Sequence, residues 1–494
     1  MGHGRRATWS TIAAISRPRV AAYKEWGYRM STIVEVPGGA APPAPELSRS
    51  LRSRHVQMIS IGGIIGAGLF VGSSAAIHAA GPAILLSYLL AGLVVLMVMR
   101  MLSEMASATP GLGSFTEYVR LGLGEWGGFL SGWLYWYFWV VVVAIEAIAG
   151  ANLLSAWIAL PVWEIVAILM ALLTAVNLMS SRSYGEFEFW FSSIKVAAIV
   201  AFVFIAGAYA FGLTSGTGPT FSNLVAYDGF MPFGWVAVLA GVTTVVFSLC
   251  GAEIATIAAA ESSESTRVIS RMTITIVARI LLFYVLSIFL ILAVVPWKEI
   301  VPGISPFAMA LERTHIPYAG TIMNVIVLTA VLSCLNSGVY VTSRVLFTLA
   351  ARGDAPQSMI ALNKRRVPVR AILIGSSFGY VAVILSVTAP QRVFAFLVNA
   401  SGALMIIIYL MACFAHLRLR KQMERTSPER LTIRVWLFPW LTYVTIAAMI
   451  GVLVAMALTD QSEFLASAIV TVIAAIAYGV MRWRRRSAGA AQTV

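Results

Sequence analysis

The sequence predicts an all-α polytopic membrane protein with twelve transmembrane helices, and three observations lead to this fold class. Of its 494 residues, 59% are hydrophobic and only 11% are charged, which is too apolar for a soluble chain of this size. The apolar residues form blocks, many of them longer than the roughly 18 residues that mark a spanning helix. Two of these blocks are interrupted near their midpoints and lie five spans apart, which predicts two related halves.

The apolar blocks follow one another with linkers that are too short for a separate soluble domain. They predict spans that begin near residues 57, 82, 126, 161, 187, 233, 275, 319, 368, 392, 433 and 462. We therefore expect a disordered basic tail, a ten-span core made of two repeats, two peripheral spans and a short C-terminal tail. In that order these segments cover 1–50, 51–420 (repeats at about 56–214 and 231–420), 421–484 and 485–494.

Basic residues lie on one side of the predicted membrane. If the N-terminus is cytoplasmic, the inner segments hold about 28 of the 35 Lys and Arg residues, and the outer loops hold only Lys298, Arg313 and Arg392. This asymmetry places both termini in the cytoplasm and disfavours nucleic acid as the partner of the +14 charge. The tail lacks a cleavable apolar core, and Met30, which opens MSTIVEV, is a more natural start than Met1.

No motif of a soluble enzyme accompanies these spans. The cysteines Cys250, Cys334 and Cys413 all fall within spans, so they predict no disulfide framework, and five scattered histidines predict no metal cluster. The glycines from Gly66 to Gly72 have the wrong spacing for a dinucleotide fingerprint, and no strand precedes them. We expect no enzymatic activity, no metal and no cofactor.

The two interrupted spans are the most informative segments. GGIIGAGLF, from Gly62 to Phe70, has four glycines, each of which costs a helix roughly 1 kcal/mol relative to alanine. FSLCGAEIATIAAAES, five spans later, carries Gly251 with the ionisable Glu253 beside it. Since five is odd, the two spans cross the membrane in opposite directions, which is typical of an inverted repeat with a binding site at the midplane.

Broken membrane helices expose backbone groups that lipid cannot satisfy, so such groups must line a cavity or bind a ligand. A half-helix that starts after Gly66 suits a carboxylate, and exposed carbonyls of span six suit an ammonium, so together they fit an amino acid. The alternative is that the G-x-x-x-G spacings only allow close helix packing without any break. The candidate substrate-binding residues are Ile65, Gly66, Ala67, Gly68, Phe247, Ser248, Cys250, Gly251, Glu253 and Tyr135.

Several long motifs are similar to those of one transporter family: IGGIIGAGLFVGS near Ile61, RMLSEMA at Arg100, GWLYWYFW at Gly132, YGEFEFWFSSIKV at Tyr184 and SCLNSGVYVTSRVLFTLAARGDAP at Ser333. From about Leu47 to Arg485 the chain resembles bacterial amino-acid permeases of the amino acid-polyamine-organocation superfamily. Within that superfamily it is most similar to the gamma-aminobutyrate permease branch of the amino acid transporter family. The resemblance implies a LeuT-like inverted-repeat core with two peripheral helices. It also implies proton-coupled import of a small zwitterionic amino acid, above all gamma-aminobutyrate, across the plasma membrane.

Other functions remain open at this point. The substrate could be another neutral amino acid, or a broader range that includes proline or aromatic amino acids. A membrane sensor that binds an amino acid without transporting it is a different class, although no soluble signalling domain accompanies the spans. A passive channel is the least favoured alternative.

Ionisable residues inside spans are functional candidates, because burying one costs at least about 2.5 to 3.5 kcal/mol. Glu253, at the second break, either takes a proton and helps position the substrate amine, or is a structural carboxylate bonded to unwound backbone. Glu146, in VVVVAIEAIAG of span three, is a second candidate for proton coupling. Lys195 lies about 12 Å into span five at 1.5 Å per residue, so it could snorkel to the interface. The resemblance implies instead that this lysine replaces the ion of sodium-coupled relatives and couples the proton, with Ser337 among its partners.

Three further motifs each allow two readings. Arg100 and Glu104 are one helical turn apart, which predicts a structural salt bridge or an inner gate rather than substrate contact. The run WLYWYFW, which contains Tyr135, either lines a pocket or forms an interfacial aromatic belt. Asn336 and Ser337, in NSGVY of span eight, serve either tight packing or a pathway wall.

Overall fold

A computed structural model describes residues 58, 61, 63–109, 112, 114–179, 181–214, 219–254, 266–386 and 390–491. The predicted tail at 1–50, with Met30, lies outside these residues, as do Gly62 and the stretch 255–262 of the second interrupted span. Within the described ranges the regular elements are all helices, as the sequence predicted.

The α-helices of the described residues are numbered α1 to α15 in chain order. They are Ala67–Phe70, Gly72–Ala80, Ile84–Ala108, Phe115–Leu123, Glu125–Leu154, Val162–Met179, Ser181–Ala210, Gly234–Leu249, Thr266–Val294, Pro306–Glu312, Ala319–Ala351, Val369–Ser386, Pro390–Thr426, Trp440–Thr459 and Gln461–Ala491.

Within the described ranges, eight helical segments are long and apolar enough to cross a membrane, and two shorter apolar segments cover Gly234–Leu249 and Leu281–Val294. The chain is therefore a multi-pass membrane protein, while the full number of twelve spans stays a prediction. Most predicted span starts lie close to the start of a described helix. The largest differences are at α9, whose polar first turns are already helical, and at α14, which begins only after Pro439.

Helices that lie five predicted spans apart pack against each other. α2 contacts α8, α3 contacts α9, α5 contacts α11, and α6 contacts α12. Two inverted repeats related by an axis in the membrane plane bring such counterparts together near that axis. Two five-span repeats would produce these four contacts, and the bounds of the repeats stay a prediction. α14 and α15, which correspond to the predicted peripheral spans, both pack against α13.

One end of the helix bundle is held by ion pairs around Arg120 of α4, which is only 3% exposed. Its guanidinium lies 3.4 Å from Glu117 and also pairs with Glu125 and Asp354. A Cβ on Gly128 would lie 2.5 Å from Nε of Arg120, so this glycine makes room for the guanidinium. Burial raises the pKa of Asp354 above its usual value, and the charge of Arg120 offsets this only in part.

The same ion pairs connect further helix ends. Arg352, directly after α11, lies 2.5 Å from Glu117, and Arg485 of α15 lies 3.4 Å from Asp354. The indole N–H of Trp133 in α5 donates to the backbone carbonyl of Asp354 at 3.1 Å. These contacts join the ends of α4, α5, α11 and α15, and α15 continues as a helix through residues predicted as tail. We call the following residues the Arg120 cluster: Glu117, Arg120, Glu125, Arg352, Asp354 and Arg485.

Candidate functional site

The first predicted interruption is present in the structure. Helical geometry stops at Ile65 and Gly66 and resumes at Ala67, and the backbone of Gly66 is extended (φ −139°, ψ −154°). A second irregularity at Val71 separates α1 from α2. The half-helix after the break is therefore only four residues long, and its dipole is weaker than a long half-helix would provide.

The second interruption directly touches the helix that leads into the first. α8 ends at Leu249, and Gly251 then adopts φ +116°, a conformation that favours glycine. A Cβ on Gly251 would lie 2.5 Å from both the carbonyl carbon and the carbonyl oxygen of Gly63. The backbone of the second break thus contacts the helical backbone directly before the first break, with no side chain between them.

Close packing, the alternative explanation of the glycines, occurs at a neighbouring position. A Cβ on Gly68 would lie 2.8 Å from Cα of Ser248, so α1 and α8 approach each other closely at this glycine. The two explanations therefore apply to different glycines. Gly66 and Gly251 lie at the breaks, whereas Gly68 allows two helices to meet.

Glu146 of α5 binds the first break. The backbone N–H of Ala67 donates to both carboxylate oxygens of Glu146 at 3.0 Å, and Glu146 is only 1% exposed. A Cβ on Gly66 would lie 2.5 Å from Oε1 of Glu146 and 2.7 Å from Sγ of Cys334. The amide that the sequence assigned to a substrate carboxylate is thus bonded to a carboxylate of the protein. A substrate that reaches Ala67 has to replace Glu146 there.

A cavity of about 10 Å³ lies between the two breaks and has room for about one water molecule. Its lining includes residues that the sequence predicted, from both breaks and from α5: Gly66, Gly68, Glu146, Phe247, Ser248 and Cys250. The lining also includes Phe138 and Trp139, from the aromatic run for which pocket lining was one of two interpretations. Sequence reasoning missed the remaining lining residues: Gly63, Ile64, Val142 and Cys334. Because ligand pockets usually measure hundreds of Å³, binding of an amino acid requires the lining side chains to move apart.

The α5 residues that line the cavity share one face of the helix with Tyr135. Tyr135, Trp139, Val142 and Glu146 follow one another at intervals of three or four residues, which places them on one side of the helix. Tyr135 itself does not line the cavity but contacts the ring of Trp139 edge-on at 6.3 Å. The pocket interpretation of the aromatic run therefore fits its later members, Phe138 and Trp139. Helical spacing from Glu146 was the signal in the sequence that could have identified this face.

Glu253 lies beside the second break but outside the cavity lining. Its carboxylate accepts hydrogen bonds from the backbone N–H of Gly251 at 3.1 and 3.2 Å, and from the hydroxyls of Tyr135 and Tyr409 at 3.1 Å each. This geometry is that of a carboxylate bonded to unwound backbone. Tyr409, on α13, could not be linked to this site from the sequence, because its contact joins distant segments.

Lys195 of α7 is fully buried (0% exposed), so the alternative that it snorkels to the interface is wrong. The ionisable groups that act on its ammonium are Glu188, Cys334 and Glu146. Because Glu146 is bonded to the first break, Lys195 interacts electrostatically with a group at that break. We call Lys195, Glu146 and Glu188 the Lys195 cluster.

Glu188 is a member of this cluster that sequence reasoning missed. It is fully buried and accepts hydrogen bonds from the hydroxyls of Ser192, at 3.2 Å, and Ser333. Its position seven residues before Lys195, on the same face of α7, was the signal that could have identified it.

The predicted polar residues of α11 bind neighbouring helices. The hydroxyl of Ser337 lies 3.0 Å from the hydroxyl of Tyr184, whose ring stacks on Tyr340. Asn336 accepts a hydrogen bond from the side-chain amide of Asn177 at 2.7 Å. Both contacts are interhelical packing contacts, and neither residue belongs to the cavity lining described above.

Arg100 and Glu104 of α3 have separate partners, which corrects the salt bridge predicted between them. Glu104 pairs with Arg420 of α13 at 2.7 Å and accepts the backbone N–H of Val435 at 2.5 Å. Arg100 donates to the backbone carbonyl of Arg434 at 2.8 Å. Both residues thus bind the segment that follows α13, and the buried carboxylate of Glu104 is neutralised by a guanidinium of the facing helix.

Two broken helices that meet beside a cavity, with ionisable groups buried at membrane depth, define a membrane transporter. The chain belongs to the amino acid permease family (AA_permease), whose sequence profile matches residues 55–491. It is accordingly an amino acid transporter and not an enzyme.

Several relatives match almost end to end. The gamma-aminobutyric acid permease of Bacillus subtilis (strain 168) is 48% identical over 449 residues, which are 90% of this chain and 96% of that protein. The gamma-aminobutyric acid permease of Escherichia coli (strain K12) is 42% identical over 90% of this chain and 97% of its own length. The aromatic amino acid transport protein AroP of Corynebacterium glutamicum is 39% identical over 84% of this chain and 91% of its own length.

Among solved structures, the manganese transporter of Eremococcus coleocola is similar in fold. The TM-score is 0.53 at 11% sequence identity, and the match covers 87% of this chain and 93% of that chain. At this identity the likeness concerns the fold alone.

Proposed function

We propose that the protein imports gamma-aminobutyrate together with a proton across the plasma membrane by alternating access. The substrate is supported by relatives that are 42% and 48% identical over 90% of the chain and are named gamma-aminobutyric acid permeases. The aromatic transport protein, at 39%, supports the alternative of an aromatic substrate less strongly. The asymmetry of basic residues supports cytoplasmic termini, with the Arg120 cluster on the cytoplasmic side.

The bond between Ala67 and Glu146 is the observation on which the mechanism rests. A substrate carboxylate that takes the Ala67 amide frees the carboxylate of Glu146 to pair with the ammonium of Lys195. Lys195 then holds its proton in the substrate-bound state, because an ammonium at membrane depth needs oxygen partners. Each substrate therefore enters with one proton on Lys195. When the repeats rock inward, Lys195 and Glu146 separate, the ammonium loses its partners, and its proton leaves to the cytoplasm.

In this proposal Glu253 keeps the second break unwound, so that backbone carbonyls beside Gly251 face the substrate ammonium. Gamma-aminobutyrate separates its charges by three methylenes, so a site that fits both of its ends leaves one end of an alpha-amino acid unsatisfied. An unsatisfied buried polar group costs roughly 1 to 3 kcal/mol. Gamma-aminobutyrate should therefore bind at least about tenfold more tightly than alanine, since 1.4 kcal/mol corresponds to a factor of ten in affinity.

Uptake of radiolabelled gamma-aminobutyrate into proteoliposomes tests the proposal. We expect saturable accumulation that requires an imposed pH gradient, with alanine and phenylalanine at least about tenfold weaker as competitors. Stronger competition by alanine or phenylalanine would refute the substrate. Binding without accumulation would indicate a sensor, and uptake that does not saturate would indicate a channel.

A further inference from the structure

A second and much larger cavity, of about 560 Å³, lies between α4 and α13, away from the two breaks. One wall is the segment 121–124 at the end of α4, and the other is formed by α13 residues that include Arg418, Lys421 and Arg425. The two helices are in contact beside this cavity, because a Cβ on Gly122 would lie 2.6 Å from Cα of Ala415. The cavity opens where α13 continues beyond that contact.

Three of the five α13 residues in this wall are cationic, and the other two are the neutral residues Gln422 and Thr426. Arg418, Lys421 and Arg425 are spaced by three and four residues, so they share one face of the helix, and all three are exposed. In the part of the chain that the structure describes, no carboxylate forms a salt bridge with them. The nearby acid Glu424 pairs with Arg420 on another face at 2.8 Å. The C-terminus of α4 contributes about half a negative charge, far less than three formal positive charges.

The position of these cations along α13 is at the boundary of the bilayer. The run 393–415 is almost entirely apolar, and the first residue after it with a permanent charge is Arg418. This run extends about 34 Å at 1.5 Å per residue, enough to cross the hydrocarbon core. Arg418 therefore lies directly beyond the hydrocarbon, at the depth of lipid headgroups, and Lys421 and Arg425 follow within the next two turns of the helix.

We propose that this cavity binds the phosphodiester headgroup of an anionic phospholipid. Phosphate oxygens accept hydrogen bonds from guanidinium and ammonium groups, and basic pockets beside membrane helices attract anionic lipids. The cavity is large enough for a headgroup, and the acyl chains can remain in the bilayer along α13. Free phosphate has the same oxygen chemistry, but the depth of the three cations favours the lipid.

The proposal can be tested with the full chain purified in detergent and titrated with short-chain phosphatidylglycerol, with binding measured as thermal stabilisation and as lipid adducts in native mass spectrometry. The variant Arg418→Gln/Lys421→Gln/Arg425→Gln should bind the lipid at least about tenfold more weakly, since each basic residue near such a headgroup adds to the affinity for anionic lipid. A matched variant, Lys364→Gln/Arg482→Gln/Arg484→Gln, removes three exposed basic residues outside the cavity and should bind like the wild type.

Three results would overturn the proposal: unchanged binding by the cavity variant, an equal loss in the matched variant, or equal stabilisation by inorganic phosphate alone. The last result would assign the cavity to a free anion. The variant Arg418→Lys/Arg425→Lys keeps the charges and should keep most of the binding, which separates loss of the ligand site from misfolding. Should the triple variant not fold, Lys421→Gln alone must still weaken lipid binding, and an unchanged affinity in that variant refutes the site.

Discussion

The Arg120 cluster and the Lys195 cluster both bury carboxylates, but they neutralise them with different cations. In the Arg120 cluster, guanidinium groups hold the carboxylates Glu117 and Asp354, which are nearly buried. In the Lys195 cluster, one ammonium interacts electrostatically with two carboxylates, which are also held by a backbone N–H and by hydroxyls. A guanidinium stays charged at any relevant pH, whereas an amine can release a proton. The comparison shows that buried ion pairs of similar composition suit different tasks, one fixing helix ends and the other carrying a proton.

The largest effect should follow from changing the cation of the Lys195 cluster. Lys195→Ala removes the charge and Lys195→Arg makes it permanent, so both should lower pH-driven accumulation by about 100-fold or more, while Lys195→Ala keeps some substrate exchange. The measurement is uptake against a concentration gradient, with the pH gradient and the membrane potential applied separately. Should Lys195→Ala still accumulate substrate when only a pH gradient is applied, the coupling passes to Glu146 or Glu253.

The next largest effect should follow from crowding the first break. In Gly66→Val the added Cβ meets Glu146 and Cys334, and the branched side chain crowds the place where the substrate carboxylate would bind, so substrate affinity should fall by about 30-fold. Gly451→Val is the control, because a Cβ on Gly451 meets nothing within 4 Å. Equilibrium binding to purified protein measures both. Wild-type affinity in a folded Gly66→Val protein would contradict the site.

An intermediate effect, on stability alone, should follow from breaking the Arg120 cluster. Asp354→Asn removes one of the three carboxylates that neutralise the buried Arg120 guanidinium, which should lower the free energy of unfolding by about 3 kcal/mol. Thermal unfolding in detergent measures this loss, and uptake at low temperature should stay within about threefold of the wild type. A normal melting temperature combined with lost proton coupling would show that this cluster carries protons as well.

The smallest effect should come from Arg120→Lys, the reverse of Lys195→Arg. The substitution keeps the charge but loses part of the fork of N–H donors, so it should cost about 1 kcal/mol of stability. Uptake rates should remain within about twofold of the wild type. If Arg120→Lys instead impaired uptake as strongly as Lys195→Arg, the distinction between the two clusters would be lost.

The features that could be predicted from the sequence are those that a single segment encodes. The breaks at Gly66 and Gly251 were predictable because glycine increases the conformational freedom of the backbone at its own position. Most helices were predictable because the length of an apolar block is also a local property of the sequence. Partnerships between distant segments were not predictable. The bond of Glu146 to Ala67 and the pairing of Glu104 with Arg420 depend on how helices face each other.

The contact between Gly251 and Gly63 couples the second break to the helical residues that lead into the first break. Because peptide groups meet there directly, a displacement of one segment pushes the other without any side chain to absorb the motion. We therefore expect no state in which one segment has moved and the other has not. Opening to one side of the membrane and closing to the other are therefore one coupled motion. This coupling prevents a passage open to both sides, through which substrate could leak back.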